Sequence, residues 1–312
     1  LQGLIGIFIL ISFMVLVAIG FVTRSLIKLS LKPLNRIEET AAAIAGGDLS
    51  ARLPDVNPRT EVGRLTSSLN TMLSRIEDSF EARTESENKL RRFVADASHE
   101  LRTPLTAIRG FAELHRQGAV VGEEKTRELV SRIEKESIRM STLVEDLLLL
   151  ARLDQSRELT LDPVDINYLV NEAIASARAA GPEHEITVTS NANEVFVLGD
   201  SMRIHQAIAN LLANARTHTP AGSEIKVEIF QDESSTRISV SDNGPGLSLE
   251  DQSRIFERFF RADPARVRAS GEGSGLGLAI VDAIMKAHGG SVTVDSTLGV
   301  GSTFKIVFLV SA

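Results

Sequence analysis

The chain has 312 residues, which is enough for two or more domains. Its 41 acidic and 34 basic side chains give a net charge of -7, which argues against a general nucleic-acid binder. The absence of cysteine excludes disulfides and thiolate metal sites, and an aromatic content of 4% without tryptophan disfavours a carbohydrate- or base-stacking surface.

The first predicted element is a membrane-spanning helix. Residues 3–23 carry no charge and are apolar apart from Ser12 and Thr23, and about 20 such residues cross a bilayer as a helix. A signal peptide is disfavoured because the run is too long and no basic segment precedes it, and the length also disfavours a buried globular helix. The basic residues that follow place the rest of the chain in the cytoplasm, under a plasma or inner cell membrane: Arg24, Lys28, Lys32 and Arg36.

Residues 25–80 are predicted to form two short amphipathic helices joined by a connector. The Gly46–Gly47 pair ends the first helix, since two glycines are a poor helix interior and a good stop. Two prolines mark residues 49–59 as extended, and the second helix begins at Glu61. An ordinary helical linker is the alternative interpretation.

His99 lies on the outer face of a predicted bundle helix. Apolar or small residues recur at alternating steps of three and four, and this register puts His99 farthest from the seam, with Thr103 one turn on along the same face. The imidazole keeps a free nitrogen lone pair at cellular pH, so His99 is a candidate nucleophile with Glu100 as its base, although a lone exposed histidine is usually only solvated. The seam consists of Val94, Ala97, Leu101, Pro104, Ile108 and Phe111.

Two long helices are predicted to form a hairpin that carries His99. They cover residues 82–117 and 123–153, and a glycine-bounded turn joins them. One hairpin cannot cover both of its apolar stripes, so we expect two chains to pair into a four-helix bundle, as a homodimer. The second stripe consists of Val130, Ile133, Ser137, Met140, Val144, Leu147 and Ala151.

The composition changes near residue 162, where an α+β domain is predicted to begin. Strands are expected at 185–189, 194–198, 224–231, 236–241, 291–296 and 303–309, and helices at 164–179, 201–217 and 276–288. This mixture predicts an open sheet with helices on one face.

Polar side chains suited to a nucleotide occur at two places in this domain. Asn210 and Asn214 lie one helical turn apart, and their neutral amide oxygens suit Mg²⁺ that phosphates already neutralise. Asp242 follows a strand and can accept a hydrogen bond from an adenine amino group, while Gly244 and Gly246 let the base approach the backbone.

A predicted helical aromatic patch at residues 255–261 leads towards a glycine-rich turn at 271–280. Free backbone N–H groups and the dipole of the helix that the turn opens are suited to cradle phosphates. The turn is not a dinucleotide fingerprint, because no strand leads directly into it. It is not a Walker A loop, because no Gly-Lys-Ser/Thr follows.

Together these segments resemble the sensor histidine kinases of two-component systems. Residues 99–105, His-Glu-Leu-Arg-Thr-Pro-Leu, resemble the phospho-acceptor box, and the later segments, with residues 299–304, resemble the N, G1, F, G2 and G3 boxes of the ATP-binding domain. Pro33 and the Glu61-x-Gly63 pattern resemble a HAMP relay. The resemblance implies a transmembrane helix at 1–23, a HAMP domain at 24–80, a dimerisation and phosphotransfer domain at 81–156 and an α+β sandwich ATP-binding domain at 160–312.

The resemblance implies a membrane kinase that phosphorylates His99 from Mg-ATP and passes the phosphoryl group to the receiver domain of a response regulator. It also implies a reverse, dephosphorylating activity in which Thr103 orients a water. The implied partners are a second copy, the regulator and the membrane, without nucleic acid. The implied nucleotide-binding residues, the first two of which also hold Mg²⁺, are Asn210, Asn214, His218, Asp242, Gly244, Gly246, Arg258, Phe259, Gly273, Ser274, Gly275, Leu276, Gly277, Leu278 and Thr303.

The sequence departs from the family pattern after Asn214. Many members carry a lysine and then an aromatic residue there, whereas this chain has Thr217 and His218. Arg216 or Arg258 is then left to supply the cation near the phosphates.

Two other functions fit parts of the chain. A hydrolytic ATPase of the chaperone or topoisomerase type has the same nucleotide fold, but it carries a carboxylate base where this chain has Asn210. A catalytically silent membrane relay would only bind ATP and partners, and the intact set of boxes argues against it.

Overall fold

The computed structural model describes residues 2–54, 59–154, 160–262 and 274–309, with side chains described in all of these except residues 2–4, 29–36 and 89. Contacts divide the chain into two compact units, Leu1–Arg92 and Phe93–Ala312. The boundary between the units falls inside a continuous helix.

The first unit begins with one uninterrupted helix, α1 (Gln2–Ala45). Its segment Ile5–Lys28 is long and apolar enough to cross a membrane, by length and composition. The predicted span and the first predicted amphipathic helix are therefore parts of one rod. This rod ends where the sequence predicts, and Gly47 follows with a left-handed φ of 102° that suits glycine.

The connector after α1 is fixed by side chains of the next helix, α2 (Glu61–Arg116). Leu53 is buried, and the Asn70 side chain brackets its backbone, accepting from the Leu53 N–H and donating to the Leu53 carbonyl at 3.0 Å each. Arg52 forms an ion pair with Glu77. Residues 55–58 of the predicted extended segment lie outside the described residues.

The second unit contains the predicted helical hairpin. The C-terminal part of α2 and the helix α3 (Glu123–Asp154) are its two arms. The turn between them uses left-handed glycines, Gly118 with φ 72° and Gly122 with φ 101°. The helix α2 continues through Pro104, which is buried on the predicted seam.

The stripe predicted on α3 is only partly buried within the chain. Leu147 packs against the core, whereas Val130 and Val144 are 54% and 42% exposed. Leu143, next to Val144, belongs to the core that α3 shares with a helix of the α+β region, α7 (Gly277–Ala287), a contact that helical periodicity does not reveal.

The α+β region follows α3. Its strands are β1 (Asp162–Asp165), β2 (Glu185–Ser190), β3 (Phe196–Gly199), β4 (Glu224–Gln231), β5 (Ser235–Asp242), β6 (Ser291–Thr297) and β7 (Gly301–Leu309), and its other helices are α4 (Ile166–Ala180), α5 (Ser201–His218) and α6 (Leu249–Arg254). Five strands form a mixed sheet in the order β2-β4-β5-β7-β6, in which β2 and β4 are parallel and the other pairs antiparallel. The remaining two, β1 and β3, form a separate antiparallel ladder.

Alternation along the strands places apolar side chains on one face of the sheet. Ile225, Val227 and Ile229 of β4 are buried, while Lys226 and Glu228 between them are exposed. The buried side chains of α4, α5 and α7 belong to the same core. The predicted open sheet with helices on one face is confirmed.

Two local predictions are wrong. Val164 and Asp165 belong to strand β1 rather than to α4, and Asp165 caps α4 by accepting from the Tyr168 N–H. The aromatic patch at residues 255–261 is not helical, because α6 ends at Arg254 and Phe259 has a left-handed φ of 60°.

Candidate active site

His99 is exposed on α2, on the side that the seam register predicts. The Thr103 hydroxyl donates to the His99 backbone carbonyl at 3.3 Å, so it is engaged with the helix rather than with the imidazole. Glu100 is half-buried, and its carboxylate accepts from Arg261 Nη2 at 2.9 Å. The candidate nucleophile is therefore open to solvent, while the carboxylate next to it is already ion-paired.

The helix α5 carries the two asparagines predicted to hold Mg²⁺. Its N-cap residue Asp200 donates its N–H to His288 Nε2 at 3.0 Å, which anchors the start of the helix. Asn210 donates from Nδ2 to the Gly277 carbonyl at 3.2 Å, which ties α5 to the start of α7. The side chain of Asn214 is half-buried and has no hydrogen-bond partner among the described residues, so its amide oxygen is available to a cation.

Asp242 ends β5 next to backbone where only glycine fits. Its carboxylate accepts from the Gly244 N–H at 2.9 Å. Burial raises the pKa of Asp242 above its ordinary value, partly offset by the N–H groups of Gly244 and Ser302 and by the nearby His218. A Cβ on Gly244 would lie 2.8 Å from the Asp242 carboxylate, and one on Gly246 would overlap the backbone of β6.

Thr303 belongs to the same end of the sheet. It lies opposite Ser241 in the β5–β7 ladder, and the two hydroxyl oxygens are 2.9 Å apart. Since Ser241 precedes Asp242 and His218 acts electrostatically on Asp242, the fold brings Thr303, Asp242 and His218 together.

The glycine-rich turn is described from Ser274 onward, and Gly273 lies outside the described residues. Gly275 has a φ of 71°, and its carbonyl accepts from the Phe259 N–H at 2.9 Å. The helix α7 then begins at Gly277, with no side-chain cap at the preceding residue. Backbone N–H groups at such a helix start are free to bind an anion.

The two leucines of the turn anchor it in the core. Leu276 is fully buried and Leu278 is 8% exposed. The Leu276 N–H donates to the Ser274 hydroxyl at 3.3 Å. The buried leucine side chains therefore fix the turn to the core, while its backbone N–H groups remain as the polar groups that could bind an anion.

Arg258 is engaged by the hairpin. Its Nη2 donates to both carboxylate oxygens of Asp154, at 2.7 and 2.8 Å, and its guanidinium lies 5.1 Å from the centroid of the Phe93 ring. The ring of Phe259 is 6.4 Å from that of Phe93. Arg216, the other predicted cation, donates to a backbone carbonyl at the end of α4 at 2.7 Å, so both predicted cations already have partners.

Sequence reasoning missed the acidic and aromatic partners that the hairpin supplies. Asp154 is 104 residues from Arg258 along the chain, and Glu100 is 161 residues from Arg261. No periodicity connects residues so far apart, and neither Asp154 nor Phe93 lies in a recognisable motif.

Asp146 on α3 was also missed. Burial raises its pKa to about 6, the nearby Glu145 adds to the effect, and a side-chain hydrogen bond with Ser274 opposes it. Asp146 therefore lies next to the start of the glycine-rich turn, in the contact between the hairpin and the α+β region.

Metal ligands of the usual protein kind are lacking from the described parts of the chain. No group of three or more His, Asp or Glu side chains there could hold a metal ion. A cation at this site would depend on the amide oxygens of α5 and on oxygens of the bound nucleotide.

Three domain families match successive parts of the chain. Residues 25–78 match the HAMP domain, residues 89–156 match the His Kinase A (phospho-acceptor) domain, and residues 199–312 match the histidine kinase-, DNA gyrase B-, and HSP90-like ATPase. The chain belongs to the sensor histidine kinases. This confirms the resemblance and the multidomain fold class, and the third match supports ATP as the nucleotide.

Curated sensor histidine kinases are similar along most of this chain. The probable sensor histidine kinase TcrY of Mycobacterium tuberculosis is 44% identical over 310 residues, which cover 96% of this chain and 64% of TcrY. The sensor histidine kinase TrcS of the same organism is 38% identical over 298 residues, covering 91% of this chain and 58% of TrcS. The chain thus spans 58 to 64% of the length of these two relatives.

Solved histidine kinases share the fold. The Acinetobacter baumannii histidine kinase AdeS has a TM-score of 0.55 and 25% identity, over 69% of this chain and 98% of the AdeS chain. The histidine kinase ThkA, in a complex with the response regulator protein TrrA, has a TM-score of 0.60 and 24% identity, over 75% of this chain and 66% of that chain. The second likeness concerns the fold alone.

Proposed function

We propose that this chain is the kinase portion of a membrane sensor, in which His99 is phosphorylated from Mg-ATP and then passes the phosphoryl group to an aspartate of a response regulator. One observation carries the proposal. A single compact unit holds both the exposed histidine of the phospho-acceptor domain and the uncapped helix start of the ATPase domain. Phosphoryl transfer depends mainly on positioning and charge neutralisation, so an acceptor histidine and an anion-binding helix start in one unit support the proposal.

The adenine base would bind at the end of β5. Asp242 accepts a hydrogen bond from its amino group, and Gly244 and Gly246 leave room for the ring. Thr303 and His218 border the same place. The half-buried carboxylate at the end of a strand supports this position.

The triphosphate would lie along the turn at residues 273–278 and the start of α7. Asn210 and Asn214 would hold Mg²⁺, which neutralises phosphate charge when bound. Arg258 would supply the cation in place of the lysine that many family members carry after Asn214. Phe259 lies beside it and bonds to the glycine turn through its N–H.

In the transfer step, the lone pair of one His99 ring nitrogen forms a bond to the γ-phosphorus. The bond from that phosphorus to the bridging oxygen of ADP breaks, and ADP leaves. The proton on the other ring nitrogen passes to Glu100, which must first leave Arg261. In the reverse, dephosphorylating activity, Thr103 orients a water.

A second copy of the chain is the proposed partner of the hairpin. Several apolar side chains of its arms are largely exposed, namely Val94 at 55%, Leu105 at 56% and Val130 at 54%. Burying them against an identical hairpin would remove this apolar surface from water.

We also propose that the chain is anchored in the membrane and that its catalytic parts lie in the cytoplasm. The proposed domains are the transmembrane helix at 1–23, the HAMP domain at 24–80, the dimerisation and phosphotransfer domain at 81–156 and the ATP-binding domain at 160–312.

Hydrolytic ATPase activity is disfavoured at this site. Residue 210 is an asparagine whose Nδ2 is bound to the Gly277 carbonyl, so no carboxylate is present there to activate water.

The test is labelling of this chain in lipid nanodiscs with Mg-ATP that carries a radioactive γ-phosphate. His99→Gln should remove acid-labile labelling and leave nucleotide binding unchanged, because the ring nitrogen is the acceptor and touches no base-binding residue. His115→Gln, an exposed histidine on the same helix, is the matched control. Undiminished labelling of His99→Gln would exclude His99 as the acceptor.

A further inference from the structure

Two arginines of the segment after α6 hold the two arms of the hairpin. Arg258 donates to both oxygens of Asp154, the last residue of α3. Arg261 donates to Glu100 on α2, and these two side chains are 19% and 30% exposed. Each arm of the hairpin is thus joined to the ATPase domain by one ion pair.

Aromatic and apolar contacts accompany these ion pairs. Phe93 on α2 lies under the Arg258 guanidinium and beside the Phe259 ring. On the other arm, Leu143 and Leu150 of α3 are buried in the same core as the ATPase domain. The Arg261–Glu100 pair is therefore shielded in part from water, whereas Asp154 of the other pair is 51% exposed.

Both ion pairs occupy groups that the proposed reaction needs. Arg258 Nη2 donates to both oxygens of Asp154, so this nitrogen cannot bind a nucleotide phosphate at the same time, and the carboxylate offsets the charge of the guanidinium. Glu100 cannot accept a proton from His99 while its carboxylate is ion-paired with Arg261. The two ion pairs thus keep Arg258 from the phosphates and Glu100 from His99 at the same time.

Phe259, between the two arginines, connects this contact to the glycine turn. It has a φ of 60°, the left-handed region that a bulky side chain rarely adopts, and it is the one non-glycine residue with positive φ in the part of the chain that the structure describes. Its N–H donates to the Gly275 carbonyl, while its ring faces Phe93. Such a conformation persists only where surrounding contacts hold it, so the hairpin contact and the shape of the turn depend on each other.

We propose that Asp154 and Arg261 are positioning residues of a resting state, in which Asp154 keeps Arg258 from the phosphates and Arg261 keeps Glu100 from His99. The inference rests on the proposed function of these groups. Bound ATP competes with Asp154 for Arg258, and the kinase becomes active when both ion pairs are broken.

Asp154→Asn tests the first ion pair. It removes the competing charge while keeping the size of the side chain, so the KM for Mg-ATP in His99 labelling should fall about two- to fivefold with little change in kcat.

Arg261→Gln tests the second pair, and it should raise kcat by a similar factor with KM unchanged, because it frees a base rather than a phosphate ligand. Glu134→Gln, an exposed charge change on α3, is the control and should match the unmodified chain.

A distance measurement tests the resting state without using catalysis. The chain has no cysteine, so spin labels can be placed at Lys135→Cys on the hairpin and Glu228→Cys on the outer face of β4, which are both exposed. Asp154→Arg, which puts like charges together, and addition of a non-hydrolysable ATP analogue should each shift the population to a second distance.

The two measurements separate this inference from the proposed function. A single unchanged distance in Asp154→Arg and with the analogue, or KM and kcat values in Asp154→Asn and Arg261→Gln equal to those of the control, would overturn the resting state even if His99 is labelled. If His99→Gln is labelled normally while the distances shift as expected, the assignment of His99 fails and the contact stands.

Discussion

Asp242 shows how one residue combines a cost in stability with a proposed role in binding. Its carboxylate is half-buried, burial raises its pKa, and the offsetting contacts come from backbone N–H groups and His218. An acid whose pKa is raised by folding stabilises the fold below its ordinary pKa, and this contribution is lost as the pH rises through the folded value. At neutral pH the charged form of Asp242 is therefore a burden on the fold, which is consistent with a residue kept for its ligand.

Asp242→Asn should weaken nucleotide binding by about 10- to 100-fold, because a charge-assisted hydrogen bond to the adenine amino group is lost. The midpoint of urea unfolding at neutral pH should stay the same or rise, since the amide is cheaper to bury than the carboxylate. Calorimetric titration with ADP and urea unfolding measure the two quantities, with the exposed Glu228→Gln as control. Equal ADP affinity in both variants would contradict the adenine position.

The residue types of this site were predictable because each has a local signature. Asn210 and Asn214 are one turn apart, Asp242 follows a strand, and Gly275 belongs to a glycine run. Their partners were not predictable, since the Asn210–Gly277 hydrogen bond joins residues 67 positions apart and depends on how α5 packs on α7.

At the scale of elements, local sequence signals predicted where helices end better than they predicted whether a segment is helical. The glycines after α1 and between the hairpin arms end helices as expected, since the left-handed backbone suits glycine. The aromatic segment after α6 was predicted as helix from its spacing, but tertiary contacts of Phe259 with Gly275 and Phe93 override that preference. Strand β1 was missed because four residues beginning with Asp-Pro give almost no alternation.

The connector of the first unit offers a test at this scale. Asn70→Ala removes both hydrogen bonds to the Leu53 backbone and leaves a half-buried N–H and carbonyl without their partner. We expect the connector to open more often, by a free energy of about 1–3 kcal/mol. Hydrogen exchange at the backbone amides of residues 50–53 measures this opening.

Ser68→Ala, an exposed change on the same helix, is the control for that experiment. Exchange at residues 50–53 that is as slow in Asn70→Ala as in Ser68→Ala would show that these two hydrogen bonds do not hold the connector.

At the scale of the whole molecule, the resting contact should respond to pH through Asp146. The contact raises the pKa of Asp146 from its ordinary value of 3.8 to about 6, chiefly by burial and also through Glu145. Three carboxylates on the helices of this contact have basic partners: Glu100 of α2 with Arg261, Asp154 of α3 with Arg258, and Asp282 of α7 with Lys286.

Because contact raises the pKa of this acid, the contribution to docking is fully present below the ordinary value and is lost as the pH rises through about 6. The docked fraction, measured by the spin-label distance, should therefore be larger at about pH 5 than at about pH 7.5. Asp146→Asn should flatten this dependence, with Glu134→Gln as control. A pH dependence of equal size in Asp146→Asn would assign it to another group.

The unbroken course of α2 has a mechanical consequence. Within the second unit, α2 carries Phe93 and His99 about 9 Å apart along its axis, at a rise of about 1.5 Å per residue. Each residue added to this helix turns the side-chain direction by about 100°, since one turn takes about 3.6 residues. The number of residues between Phe93 and His99 thus fixes the angle between their side chains, so an inserted heptad would nearly preserve the direction of His99 while a single added residue would turn it to another side.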